Sequence, residues 1–195
     1  MTTGLRWRIM TLQAVLVLVL GFCAGFLFYE SSFVNGQIHD QLASQKIYFP
    51  AADSAAIKAL PASDASAMKQ YAGQQLTTGA QAQTYADHFI AVHLREVAGG
   101  KTYAQASAAS QANPKDTALA AQVQTLFRGE TLRGLLLNAY GWSQVAMYAF
   151  FGAIGLTIAA GGVLVAFAFE VFVALRRREP APARTVPGGR PAPTA

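Results

Sequence analysis

The stretch Glu130-Thr-Leu-Arg-Gly-Leu-Leu-Leu-Asn-Ala-Tyr-Gly-Trp142 leads into an almost purely apolar run over 145–175, which stops at Arg176-Arg177-Arg178. As a helix rising 1.5 Å per residue, this run is about 46 Å long. Crossing a ~30 Å hydrocarbon core takes only ~20 residues. A buried helix of a water-soluble domain rarely stays apolar for so long, so the run reads as a membrane-spanning helix over 144–175. Tyr140, Trp142 and Tyr148 are the aromatic residues expected where such a helix leaves the hydrocarbon.

A second apolar run occupies 9–29, behind Arg6-Trp7-Arg8. About 21 residues are again enough to span. A cleaved signal peptide would have a shorter apolar region and a small-residue cleavage site. The only cysteine, Cys23, follows Phe22, whereas a lipoprotein signal needs a small residue there. The run therefore reads as an uncleaved signal anchor.

The 195 residues are 53% hydrophobic and 13% charged, with a mean hydropathy of +0.28, which suits a small membrane protein carrying one modest domain. The formal charge of +5 invites a nucleic-acid reading, but its distribution argues against one. Between Glu30 and Trp142, eight lysines and arginines face eight acids. The excess comes from Arg6 and Arg8 at one end and from Arg176, Arg177, Arg178, Arg184 and Arg190 at the other. Basic residues just outside apolar spans mark the cytoplasmic side and do not form a DNA-binding face. The expected topology is multi-pass in the plasma membrane with both termini cytoplasmic, the region 30–143 outside, and the lipid bilayer as first partner. With its single cysteine inside a span, the outer region must fold without a disulfide.

That outer region reads as all-α. Ser63 can cap a short helix ending near Gly73. Thr78-Gly-Ala-Gln81 matches a capping box, and the helix it opens should end at Gly99-Gly100. Asn113-Pro114-Lys115-Asp116 offers a cap, a proline for the first turn and an acid near the positive dipole end. The apolar sets Ala86, Phe89, Ile90, His93, Leu94, Val97 and Leu119, Val123, Leu126, Phe127 keep helical spacing. The segment 32–46 should continue the first membrane helix outward with Phe33, Ile38 and Leu42 facing in, and 48–61 should be mostly loop with one helical turn near Ala55. After Glu179, five prolines and no aromatic residue exclude a core, so 176–195 reads as a basic, disordered cytoplasmic tail.

Few residues invite chemistry. His93 and Glu96 lie three apart on one helix face, as an acid/base or metal pair would, but His93 also belongs to the apolar stripe. Glu170 sits inside the second apolar run, six residues before Arg176, where acids are costly and often functional, yet it could lie at the inner interface and pair with a neighbouring arginine. Gly21-Phe-Cys-Ala-Gly25 and the set Ala149, Ala153, Thr157, Gly161 place small residues at i+4 steps, which lets membrane helices approach closely, either within one chain or between copies. No nucleophile motif, phosphate loop or metal-ligand spacing accompanies them, and no cofactor is implied.

The runs Tyr85-Ala-Asp-His-Phe-Ile-Ala-Val-His-Leu-Arg-Glu96, Thr102-Tyr-Ala104 and Phe127-Arg-Gly-Glu-Thr-Leu-Arg-Gly-Leu-Leu-Leu-Asn-Ala-Tyr140 resemble a group of uncharacterised actinobacterial membrane proteins with two spans. The resemblance implies the two-span topology and carries no activity. The leading expectation is a non-catalytic accessory, adaptor or sensor-like protein whose helical outer domain binds a ligand or a partner, either another membrane protein or a second copy. An extracytoplasmic enzyme using His93 and Glu96, or a small oligomeric pore or transport subunit, are the alternatives. A fragment covering 31–138 should give a helix-dominated circular dichroism spectrum. A strand-dominated spectrum would overturn the reading of caps and stripes.

Overall fold

The computed structural model describes residues 3–176. They are helical, with no named strand among them. Two helices are long and apolar enough to cross a membrane: α1 (Thr3–Ser44) and α7 (Thr117–Arg176). Between them lie α2 (Ala55–Lys58), α3 (Ala62–Lys69), α4 (Gly79–Tyr85), a π turn (Ala86–Ile90), α5 (Ala91–Val97) and α6 (Tyr103–Ala112). The described residues divide into two compact units, one comprising Ala24–Ile154 and the other 3–23 with 155–176.

In the larger unit the local chemistry explains each boundary. The Ser54 hydroxyl accepts from the Ile57 N–H at 3.3 Å and starts α2, the single turn expected near Ala55. The Thr78/Gln81 capping box forms as the sequence implies. Thr78 Oγ1 accepts from the Gln81 N–H at 3.3 Å, and Gln81 Oε1 accepts from the Thr78 N–H at 3.1 Å. The helical run it opens ends at Gly99 and Gly100, whose φ values of 57° and 80° suit residues without a Cβ.

Three boundaries differ from expectation. Helix α3 starts one residue after Pro61, with no side-chain cap, so Ser63 lies inside it. Asn113 ends α6 instead of starting α7, and its Nδ2 donates to the Ala109 carbonyl at 3.1 Å. Asp116 caps α7 instead, accepting from the Leu119 N–H at 2.9 Å. An Asx side chain can serve either end of a helix, and two of them three residues apart left the choice open. Helix α6 itself was not foreseen, although Thr102 and Gln105 form a second capping box.

The core of this unit is one buried cluster. Ile38 and Leu42 of α1 share it with Phe49, Ile57, Met68, Leu76, Ala86, Ile90 and Leu94, and with Leu126 and Leu136 of α7. Phe49 stands in a row of rings, 5.3 Å from both Tyr71 and Tyr85; Tyr85 lies 5.0 Å from Phe89, and Phe89 4.4 Å from His93. Burial pushes the Tyr85 phenol above its usual range. An irregular pair of extended segments brings Phe49 here: its N–H donates to the Gln74 carbonyl at 2.9 Å, and its carbonyl accepts from Gly73 at 3.1 Å. Phe33, expected to face in, is 51% exposed. The inward face of α1 runs through Ser31, Val34, Ile38 and Leu42, and a 3.6-residue period sets Phe33 about 100° away from Val34.

Two glycines permit close packing. A Cβ on Gly79 would overlap the Ser143 side chain of α7, and one on Gly129 would overlap Leu94. Gly134, by contrast, faces open space. Gly79→Ala should therefore cost about 1–3 kcal/mol through overpacking. Gly134→Ala should gain up to about 1 kcal/mol of helix propensity. Thermal unfolding followed by circular dichroism in detergent compares the two, and equal effects would contradict this packing.

Candidate functional site

The two residues proposed for chemistry do not meet. The His93 ring Nδ1–H donates to the Phe89 carbonyl at 2.7 Å, one turn back and just beside the π turn, and the ring packs on Phe89. Glu96 is exposed, and no hydrogen bond or ion pair joins it to His93 among the described residues. The geometry shows a histidine anchoring its own helix. No group of three or more potential ligands that could hold a metal occurs among the described residues.

The charged contacts of the larger unit centre on the π turn. Asp87 and His88 are adjacent in this turn and reach different neighbours. Asp87 Oδ1 accepts from Arg133 of α7 at 3.0 Å, and His88 Nδ1 lies 2.7 Å from Asp64 Oδ1 of α3. The Asp87 carboxylate holds the Arg133 guanidinium more firmly protonated than usual, and Glu130, 3.5 Å away, adds to this. Beside this node a cavity of about 470 Å³ is lined by Arg95, Lys101 and Arg133, with Asp87 and Glu130 among its walls. The charges of both signs that line it include the pairs just described.

A larger groove, of about 610 Å³, lies between positions 33–45 of α1 and 132–142 of α7. Along α1 it is lined by Phe33, Val34, Ile38 and Leu42 and by the glutamines Gln37, Gln41 and Gln45. Along α7 it is lined by Leu132, Leu135, Leu136, Asn138, Ala139 and Trp142. Leu136, Ile38 and Leu42 form its closed floor, while Phe33, Leu135 and Trp142 are more than half exposed on its walls. No charged residue lines it. A concave, mainly apolar pocket of this size with a few neutral polar groups is the usual form of a ligand site. Leu132, Leu135, Leu136 and Ala139 follow one another at helical spacing along α7. On the facing wall the sequence reading took in Phe33, Ile38 and Leu42 but not Gln37, Gln41 and Gln45, which repeat every fourth residue beside that stripe.

The small residues singled out in the apolar runs fall in different places. A Cβ on Gly21, Gly25 or Gly161 would meet nothing within 4 Å. Among the described residues no neighbouring helix approaches these glycines at the Cβ position. Ala153 of that set is buried in the larger unit, as are Ala24 and Ala146, and Phe28 meets Phe150 edge-on at 5.7 Å. Ala149 is half-buried, and Thr157 belongs to the smaller unit.

In the smaller unit Glu170 has a partner. Arg6 Nε donates to Glu170 Oε2 at 2.9 Å, with the two side chains 18% and 24% exposed. Arg8 is exposed, and the Arg176 guanidinium stacks 4.5 Å from the Phe172 ring centre. Arg177, Arg178 and the expected tail lie outside the described residues.

No protein-family model matches the chain, and neither a curated protein nor a solved structure is similar to it.

The Arg6–Glu170 pair makes an asymmetric prediction. Arg6→Leu leaves a carboxylate unpaired in an apolar segment and should cost up to about 3 kcal/mol. Glu170→Leu should cost less, because Arg6 lies at the end of its apolar run and its long side chain can reach water. The double Leu variant should lie close to wild type. Thermal melts in detergent, read as the fraction remaining in solution, rank the three; equal losses in both single variants would contradict the pairing.

Proposed function

We propose that this chain is a two-span plasma-membrane protein with both termini in the cytoplasm and its helical region outside, acting as a non-catalytic accessory or sensor-like subunit. The groove between α1 and α7 is the observation that carries this reading. Its walls belong to the same two helices that contain the long apolar runs, so an occupant touches both at once. An occupant that prefers one spacing of the two walls shifts the equilibrium toward it, by no more than its difference in affinity for the two arrangements. The charge pattern supports the orientation, since arginines cluster outside both apolar runs while the intervening region is neutral overall.

The side chains favour binding over catalysis. His93 spends its ring N–H on a backbone carbonyl, and the paired charges at the π turn tie α3 and α7 to the region between α4 and α5. These contacts fasten α3 and α7 to the π turn, and none of the three fixes the spacing between α1 and α7.

Topology is testable in intact cells. In a background with Cys23 replaced, Ser66→Cys should react with a membrane-impermeant maleimide added outside, and Thr185→Cys should react only after permeabilisation. Labelling of position 185 from outside would end the two-span reading.

A further inference from the structure

We infer that the groove between α1 and α7 takes one hydrocarbon chain of an outer-leaflet lipid whose polar head is uncharged. The inference rests on the two-span reading given above. From Phe33 to Gln45 the α1 wall is about 18 Å long, close to the ~15 Å thickness of one leaflet of hydrocarbon. A partner helix seated on it would bury only one face and would meet the row Gln37, Gln41 and Gln45 along α1 where a packed helix face calls for an apolar stripe. An extended peptide presents a backbone group needing a partner every ~3.3 Å, while Gln37, Gln41 and Gln45 recur only every ~6 Å along the wall. A hydrocarbon chain brings no such groups and suits the apolar floor.

The absence of charge in the lining selects the head. A phosphate or carboxylate drawn into this site would have no cationic partner there, whereas hydroxyl, ester or amide groups can exchange hydrogen bonds with the three glutamines and Asn138. The route of entry is short. Phe33 lies four residues beyond the end of the first apolar run, and Trp142 three residues before the second. Exposed Tyr29 and Val145 continue the apolar surface toward them, so a chain leaving the bilayer need not cross water.

Photo-crosslinking of the full-length protein in lipid nanodiscs tests this. The probes are a diazirine-bearing monoacylglycerol and a fatty acid carrying the same chain. The monoacylglycerol should modify groove residues, read by mass spectrometry on peptides containing Gln37–Gln45 or Leu132–Trp142, and the fatty acid should do so about tenfold less. Leu135 is well exposed, so Leu135→Arg should leave the fold intact, checked by circular dichroism. It should lower groove labelling by about tenfold while labelling of the apolar runs persists. Labelling confined to the apolar runs, or unchanged in Leu135→Arg, overturns the inference. Equal labelling by both probes overturns the uncharged head. These outcomes leave cysteine accessibility unaffected, so this inference can fail while the topology stands.

Discussion

The burial of Ile38 and Leu42 together with Leu126 and Leu136 is the contact on which the larger unit depends. Helices α2 to α6 span four to ten residues, and isolated helices shorter than ~12–15 residues are marginal in water. They persist because each contributes to a core whose outer walls are α1 and α7. Burying one such aliphatic side chain contributes about 1.5–3 kcal/mol. The short helices supply Ile57, Met68, Ala86, Leu94 and Ala106 to the interior and receive their order in return. Capping does the local work. Gln81 is nearly buried, yet its amide oxygen accepts from Thr77 and Thr78 and its nitrogen donates to Gln74, so the polar group is satisfied within the core.

Much of this was legible in the sequence because its signals are local. A capping box spans four residues, a positive φ belongs to one glycine, and an apolar run counts itself. The all-helical fold and the two long apolar helices follow from such signals. The contacts that were missed join distant residues. Glu170 invited a partner among the arginines that follow it in sequence, but the one it meets, Arg6, stands 164 positions away. The pairing of Phe49 with Gln74 involves too few residues to leave a period-2 pattern. The π turn left no trace either, since the apolar spacing of Ala86, Phe89, Ile90 and Leu94 fits an ordinary α-helix as well.

The candidate site illustrates the same limit. Each wall of the groove was visible as a one-sided helical stripe, but a concavity exists only once two stripes face each other. Side chains that lie beside an apolar stripe without joining it carry the information here. Gln37, Gln41 and Gln45 are such residues, as are Leu135 and Trp142. His93 shows the reverse case: its residue type suggested chemistry, and its hydrogen bond to Phe89 shows a structural use.

The closure of one core by the first and last helices also sets an order of events during synthesis. Leu42 and Leu136 share a cluster across a long intervening chain, so their contact closes a large loop. A growing chain has every short helix available before α7 emerges, but not the wall that completes their burial. Until then Met68, Leu76 and Leu94 lack part of their cover, and the nascent region must remain loosely ordered. Biogenesis is thereby timed by the second long helix, whose arrival completes the domain.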